Sequence, residues 1–224
     1  MRETRRQETM VVLMGGPLTA GPRLDALLAG KRAVAADGGM RHAPLLSALP
    51  ELWVGDFDSS AEELIARYPH VHREPYPPAK NETDGEIAAE AAIERGATRL
   101  VLAGALSGER SDHALLHLLL GLSLTERGID VVLTSGEEEA YPLLAGIRPL
   151  DLSLDLPKGS LFSILGFTAL EGLTIAGARY PLEDFSLPFG SSRTISNVAE
   201  GPVRITLKHG RAILLARPYD MTGA

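Results

Sequence analysis

The 224-residue sequence contains no cysteine, so disulfides and thiolate metal sites are excluded and any metal must be held by oxygen or imidazole. Positive charge is not in excess. The formal charge is −7, which argues against broad nucleic-acid binding or attachment to anionic lipid, because both need Lys and Arg facing phosphates. No apolar run approaches the roughly 20 residues that span a bilayer. The first nine residues, MRETRRQET, lack the apolar segment of a signal peptide or anchor, so a cytoplasmic protein folded from about Met10 is expected. Neither the GxxxxGK[ST] phosphate loop nor the GxGxxG dinucleotide fingerprint occurs. A polyphosphate ligand would have to be held by metal and by scattered local donors.

What is present is 45% hydrophobic residues, ample for one large domain or two modest ones. The first 135 residues repeat one theme, a short apolar run ending in Gly or Asp followed by an amphipathic stretch, which is the rhythm of parallel strands with crossover helices. Strands are expected at Met10 to Met14, Arg32 to Ala36, Leu52 to Val54, Arg99 to Ala103 and Ile129 to Thr134, with a weaker one near Val71. Helices are expected around Pro22 to Leu28, Ala61 to Tyr68, Asp84 to Arg95 and Asp112 to Arg127. Thr83 followed three residues later by Glu86 is a capping-box pattern at the start of the third helix. From Leu150 the pattern becomes short alternating runs punctuated by Gly and Pro, the mark of antiparallel β structure. His209 and Gly210 read as a hairpin turn. The expected organisation is an α/β domain over 10–135 with a mostly parallel sheet flanked by helices, a linker over 136–149, and an antiparallel β-sandwich over 150–218.

Ligands of open parallel sheets bind at the carboxyl ends of the strands, so polar residues directly after an apolar run carry the most information. Here they are mostly aspartates. Asp37 follows RAVAA, Asp56 and Asp58 follow LWVG, Asp84 opens one helix, and Asp112 opens another after GALSGERS. Carboxylates brought this close repel one another unless cations sit among them. Mg²⁺ suits an oxygen-only ligand set and is bound through one or two carboxylates plus substrate phosphates. Asp56 and Asp58 form the best ligand pair, with Asp84 third. Glycines at Gly15, Gly16, Gly38, Gly39, Gly104 and Gly108 allow backbone N–H groups to approach an oxyanion, and Arg110 is the candidate cation for phosphates.

Taken in order, ADGG at Ala36 to Gly39, GDFDS at Gly55 to Ser59, KNETDGEIA at Lys80 to Ala88 and GERSDH at Gly108 to His113 resemble the motif series of thiamin pyrophosphokinases. GARYPL at Gly177 to Leu182 and GSSRTISN at Gly190 to Asn197 match two further motifs of that family in the β region. The resemblance implies a homodimer with sites between subunits, ATP and thiamin as substrates, and Mg²⁺ as cofactor. It implies that Asp56, Asp58 and Asp84 gather around the metal and the ATP phosphates, with Asp37 and Asp112 nearby. Gly38, Gly39, Lys80, Thr83, Arg110 and His113 would complete the nucleotide side, while Thr194, Ser196 and Asn197 would help hold thiamin, the last two from the partner subunit. The chain departs from the family pattern at GERSDH, where GGRxDH is usual. His117 stands in place of a frequent asparagine, and Val198 in place of a frequent glutamate.

Other chemistries are compatible with parts of this pattern. DFDS also resembles a haloacid-dehalogenase nucleophile motif, but that motif typically lies on a strand near the chain start and needs a later lysine and acidic pair. A pyrophosphokinase of related fold acting on a pterin alcohol, or a non-catalytic thiamin- or nucleotide-binding relative, would share the acidic strand ends.

Overall fold

Short apolar runs flanked by Gly and Asp become strands buried on both faces, and those of the N-terminal half assemble in parallel. The computed structural model describes residues 7–57, 62–77, 82–106, 108, 110–146 and 149–222. They fall into two compact units, one reaching Leu120 and taking in Arg127–Gly136, the other comprising Gly121–Glu126 and the chain from Glu137 onward.

In the first unit the elements are β1 (Thr9–Leu13), α1 (Pro22–Leu28), β2 (Arg32–Ala36), a 3-10 segment (Asp37–Leu45), β3 (Leu52–Gly55), α2 (Glu62–Arg67), β4 (Arg73–Pro75), α3 (Asp84–Glu94), β5 (Arg99–Ala103), the first ten residues of α4 (Ser111–Glu126) and β6 (Asp130–Thr134). All strand pairings are parallel, in the spatial order β4-β3-β2-β1-β5-β6. The first four strands step outward from β1 on one side, and β5 and β6 then occupy the other. β1 and β5 therefore flank a topological switch point, where loops leaving the strand ends diverge and open a crevice.

Two kinds of packing hold this sheet. One face buries Val11, Leu13, Ala33, Ala35, Trp53 and Val101 against Leu24 and Leu28 of α1 and Met40 and Ala43 of the 3-10 segment. On β1–β3 lies α3, whose buried residues are Gly85, Ala88, Ala89, Ala91 and Ala92. Side chains this small bring the helix close to the sheet, and burial of the apolar surface supplies roughly 25 cal/mol per Å². The helix is started as its sequence dictates. Thr83 Oγ1 accepts the Glu86 N–H at 3.3 Å, and the Glu86 carboxylate accepts the Thr83 N–H at 2.7 Å.

The second unit contains β7 (Glu139–Ala145), β8 (Leu150–Leu154), β9 (Leu161–Gly166), β10 (Leu170–Ala178), β11 (Leu182–Leu187), β12 (Asn197–Leu207) and β13 (Gly210–Arg217). One antiparallel group joins β7, β13, β9 and the start of β12. The other joins β8, the rest of β12, β10 and β11. Phe162, Ile164, Leu173, Ile175, Val203, Ile205, Ala212 and Leu214 share the core of this sandwich.

β12 changes sheets. Asn197 and Val198 pair with β9, whereas Val203 to Leu207 pair with β8, and the register against β10 slips in between. Gly201 and Pro202 lie at the slip, where a proline without an N–H breaks the ladder.

Two sequence expectations need correction here. His209 and Gly210 do not make a hairpin, because the end of β12 pairs with β8 and β10 while β13 pairs with β7 and β9; the N–H groups of Lys208 and His209 instead donate to the Glu171 carbonyl at 3.1 and 3.2 Å. The segment read as a linker over 136–149 carries β7, paired with β13 along its whole length. Its three consecutive glutamates and two prolines concealed a strand in which Pro142 lies opposite Ile213.

Candidate functional site

At the carboxyl ends of the parallel strands a cavity of about 650 Å³ opens beside the switch point. Gly15, Gly16 and Pro17 line it after β1, Asp37, Gly38 and Arg41 after β2, and Thr83, Asp84 and Gly85 at the start of α3. Gly108, Arg110, His113 and His117 line it on the β5–α4 side, and Met14 and Leu116 add apolar surface.

Asp37, Asp56 and Asp84 converge, with one carboxylate oxygen of each lying within 4.8 Å of the others. The local architecture explains how. The chain turns sharply after β2, leaving Asp37 at φ 39°. That is a costly conformation for a residue with a side chain. The surroundings enforce it, since the Trp53 indole N–H donates to the Asp37 carbonyl at 2.8 Å. Gly55 sits against this turn, where a Cβ would lie 3.1 Å from both Asp37 Cα and Cβ. Phe57, at φ 61°, folds its ring edge-on to Trp53 with centroids 5.2 Å apart. The glycine of GDFDS thus makes room for Asp37, and its phenylalanine anchors the turn on the strand's tryptophan. Gly39 has a stricter requirement, for a Cβ there would stand 2.1 Å from the Leu13 carbonyl oxygen.

The expected ligand set is therefore partly revised. Asp37, expected only nearby, stands in the carboxylate cluster with Asp56 and Asp84. Asp58 and Lys80 lie outside the described residues. Asp112 is not part of this cluster. Its carboxylate receives Arg110 Nε at 3.1 Å and an Arg110 terminal nitrogen at 2.5 Å. That guanidinium holds Asp112 down at a pKa of about 2. His113 lies on the same wall, its ring 6.4 Å from that of His117.

Sequence reasoning missed Arg41 and His42. Arg41 donates to the Gly16 carbonyl at 3.1 Å, to that of Gly38 at 3.3 Å, and also to that of Gly15. His42 Nε2 donates to the Gly16 carbonyl at 2.9 Å. Burial above all pushes the His42 pKa below its ordinary value, and burial does the same to His117, whose Nδ1 donates to the Ala105 carbonyl at 2.8 Å. The available signal was position. Arg41 stands three residues after Gly38, one turn of the 3-10 segment, and so returns to the same edge of the sheet.

In the sandwich, Thr194 and Asn197 are 1% and 3% exposed. Thr194 Oγ1 donates to the Ile164 carbonyl at 2.6 Å. The Asn197 amide oxygen accepts the N–H groups of Tyr180 at 3.1 Å and Val198 at 2.9 Å, while its nitrogen donates to the Tyr180 carbonyl at 2.9 Å. It thereby ties the GSSRTISN segment to GARYPL. Ser196 differs from both neighbours, being exposed, at φ 56°, and held through its N–H on Ser163 Oγ at 2.9 Å.

The carboxylate cluster fits Mg²⁺. All its donors are oxygen, and separations of no more than 4.8 Å are on the scale of the ~4 Å across an Mg²⁺ octahedron with bonds of about 2.1 Å. An oxygen-lined cleft at the switch point of a parallel sheet, in a chain that continues as a β-sandwich, defines a two-unit protein of the α/β-plus-sandwich class. Two family models match the chain, "Thiamin pyrophosphokinase, catalytic domain" over residues 26–133 and "Thiamin pyrophosphokinase, vitamin B1 binding domain" over residues 150–211. The chain belongs to the thiamin pyrophosphokinase family, and that membership makes it a kinase-type enzyme.

Solved structures agree in fold. Thiamine pyrophosphokinase from Bacillus subtilis is 23% identical with a TM-score of 0.80, over 95% of this chain and 100% of that one. Thiamin pyrophosphokinase from Geobacillus thermodenitrificans is 24% identical with a TM-score of 0.78, over 96% and 100%. The yeast enzyme is 13% identical with a TM-score of 0.69, over 97% and 88%. No curated protein sequence matches the chain. Among the described residues no helix is long and apolar enough to cross a membrane.

Proposed function

We propose that this protein is a thiamin diphosphokinase, which transfers the pyrophosphoryl group of ATP to the hydroxyl of thiamin to give thiamin diphosphate and AMP. The observation that carries this reading is the convergence of Asp37, Asp56 and Asp84 at the mouth of a strand-end cavity large enough for a nucleotide. Those three carboxylates would hold Mg²⁺, which when bound neutralises charge on the transferred phosphates and fixes their orientation.

In the transfer, the hydroxyl oxygen forms a bond to the β-phosphorus of ATP. The bond from that phosphorus to the oxygen bridging to the α-phosphate breaks, and AMP departs with the electron pair. Attack in line requires the reactants to be held rigidly, and the residues of the cavity contribute mainly position. The turn at Asp37 is fixed by Trp53 and Gly55, and Asp84 by the capped start of α3. Any carboxylate of the cluster left without metal can take the hydroxyl proton. Met14 and Leu116 offer apolar contact to a ring.

We place thiamin recognition partly on Ser196, whose exposed side chain is presented by a bend that Asn197 and Thr194 support from behind. In this reading the protein works as a homodimer in which Ser196 reaches the partner's site, and as an ATP-consuming enzyme it works in the cytoplasm. Incubation with ATP, Mg²⁺ and thiamin, followed by separation of the nucleotides, tests the assignment. AMP and thiamin diphosphate in equal amounts are expected. Release of ADP would indicate simple phosphoryl transfer, and no thiamin-dependent nucleotide product would leave a binding protein.

A further inference from the structure

Taking the pyrophosphokinase reading as its basis, we propose that Arg41 is the cation that meets the nucleotide's phosphates in this cavity. The chain carries a formal charge of −7, and three carboxylates converge at the cavity, so an incoming polyphosphate needs a local positive group. Arg110, the residue expected to supply it, is engaged in a two-pronged pair with Asp112 that offsets part of its charge.

Arg41 is placed differently. Its partners are the carbonyls of Gly15, Gly16 and Gly38, which orient the guanidinium without neutralising it. A guanidinium has five N–H groups, and three are engaged in these bonds, leaving two for a ligand. The carbonyls belong to the loops after β1 and β2, which line the same cavity as Asp37 and Asp84. A Cβ at Gly38 would lie 3.4 Å from an Arg41 terminal nitrogen, so the absence of a side chain there leaves the guanidinium uncovered on that side.

Pre-organisation adds to the argument. An arginine fixed by three carbonyls has little side-chain freedom left to lose when a phosphate arrives. The loop it grips is gripped a second time, because the Gly16 carbonyl also receives His42 Nε2. Adjacent residues of one short segment thus hold the β1 loop, and only one of them is charged.

The test is calorimetric titration of the intact protein with ATP, inorganic tripolyphosphate and adenosine in the presence of Mg²⁺, for the unaltered chain and for Arg41→Gln, Arg41→Lys and Arg110→Gln. Arg41→Gln should weaken ATP and tripolyphosphate about tenfold or more while adenosine binding and melting temperature stay as they were. Arg41→Lys should recover part of the loss, and Arg110→Gln should have the smaller effect. ATP binding by Arg41→Gln equal to that of the unaltered chain would overturn the assignment. So would parallel loss of adenosine binding and thermal stability without relief by Lys, which would mark a structural clamp only. Failure of the unaltered chain to bind ATP would instead remove the nucleotide reading itself, and this assignment with it.

Discussion

The two units treat their polar residues in opposite ways. In the parallel α/β unit, carboxylates from two strand ends and one helix start are held together at the edge of a cavity, against their mutual repulsion. In the sandwich, Thr194 and Asn197 are buried and bonded to the backbone around them, while Ser196 between them is exposed. Polar residues of a family motif can therefore serve a ligand in one place and the fold in another. Their hydrogen-bond partners, more than their sequence neighbourhood, tell the two apart.

Substitutions can break this contrast. The largest effect is expected from Asp56→Asn or Asp84→Asn, which should lower thiamin diphosphate formation by at least about 10³-fold, the scale of a lost electrostatic contact to a transferring phosphoryl group. Melting temperature should hold or rise, since a repulsive charge is removed. A variant that melts early would move these aspartates to the structural side. Next is Asn197→Ala, which strands three backbone groups and should cost about 2–3 kcal/mol in denaturant unfolding. Ser196→Ala should change stability by less than about 0.5 kcal/mol and act on the KM for thiamin alone. If Asn197→Ala left stability untouched and abolished thiamin binding, the contrast would fail.

Smaller effects sharpen the picture. Thr83→Ala removes the capping box of α3 and should cost about 1 kcal/mol, with some loss of turnover because Asp84 is the first residue of that helix. The smallest effect concerns pH. Asp112 has a folded pKa of about 2 against an ordinary value of 3.8, so its pairing with Arg110 contributes fully above about pH 4 and is lost as pH falls through about 2. A carboxyl titration followed by NMR should show that midpoint, and Arg110→Gln should return it towards the ordinary value. Both groups are fully solvated, so high salt should weaken the effect.

Much of the α/β unit was legible in the sequence, and for local reasons. The apolar runs at Arg32–Ala36 and Arg99–Ala103 and the helix at Pro22–Leu28 have the expected ends, because Gly, Pro and Asp punctuate them. The capping box at Thr83 and Glu86 is a contact over three residues, so spacing alone suffices to specify it. The sandwich was less legible. Strand β7 was hidden among glutamates and prolines, and the turn at His209 resembled a hairpin because alternation reports which face is buried but not which strand lies alongside. The position of Arg41 was missed because its hydrogen bonds lie with carbonyls about 25 residues away and with one three residues back.

By itself, the sequence determined that no metal site can use thiolate, that a parallel sheet carries acids at its strand ends, and that the C-terminal part turns to antiparallel structure. These follow from composition and periodicity, which are local properties of the chain. Tertiary structure alone decided that Asp37 joins Asp56 and Asp84, that Arg41 reaches the carbonyls of the loop after β1, and that Asn197 supports its motif from within. Those outcomes depend on which loops the strand order brings side by side, and on the hydrogen bonds that burial obliges each polar group to find.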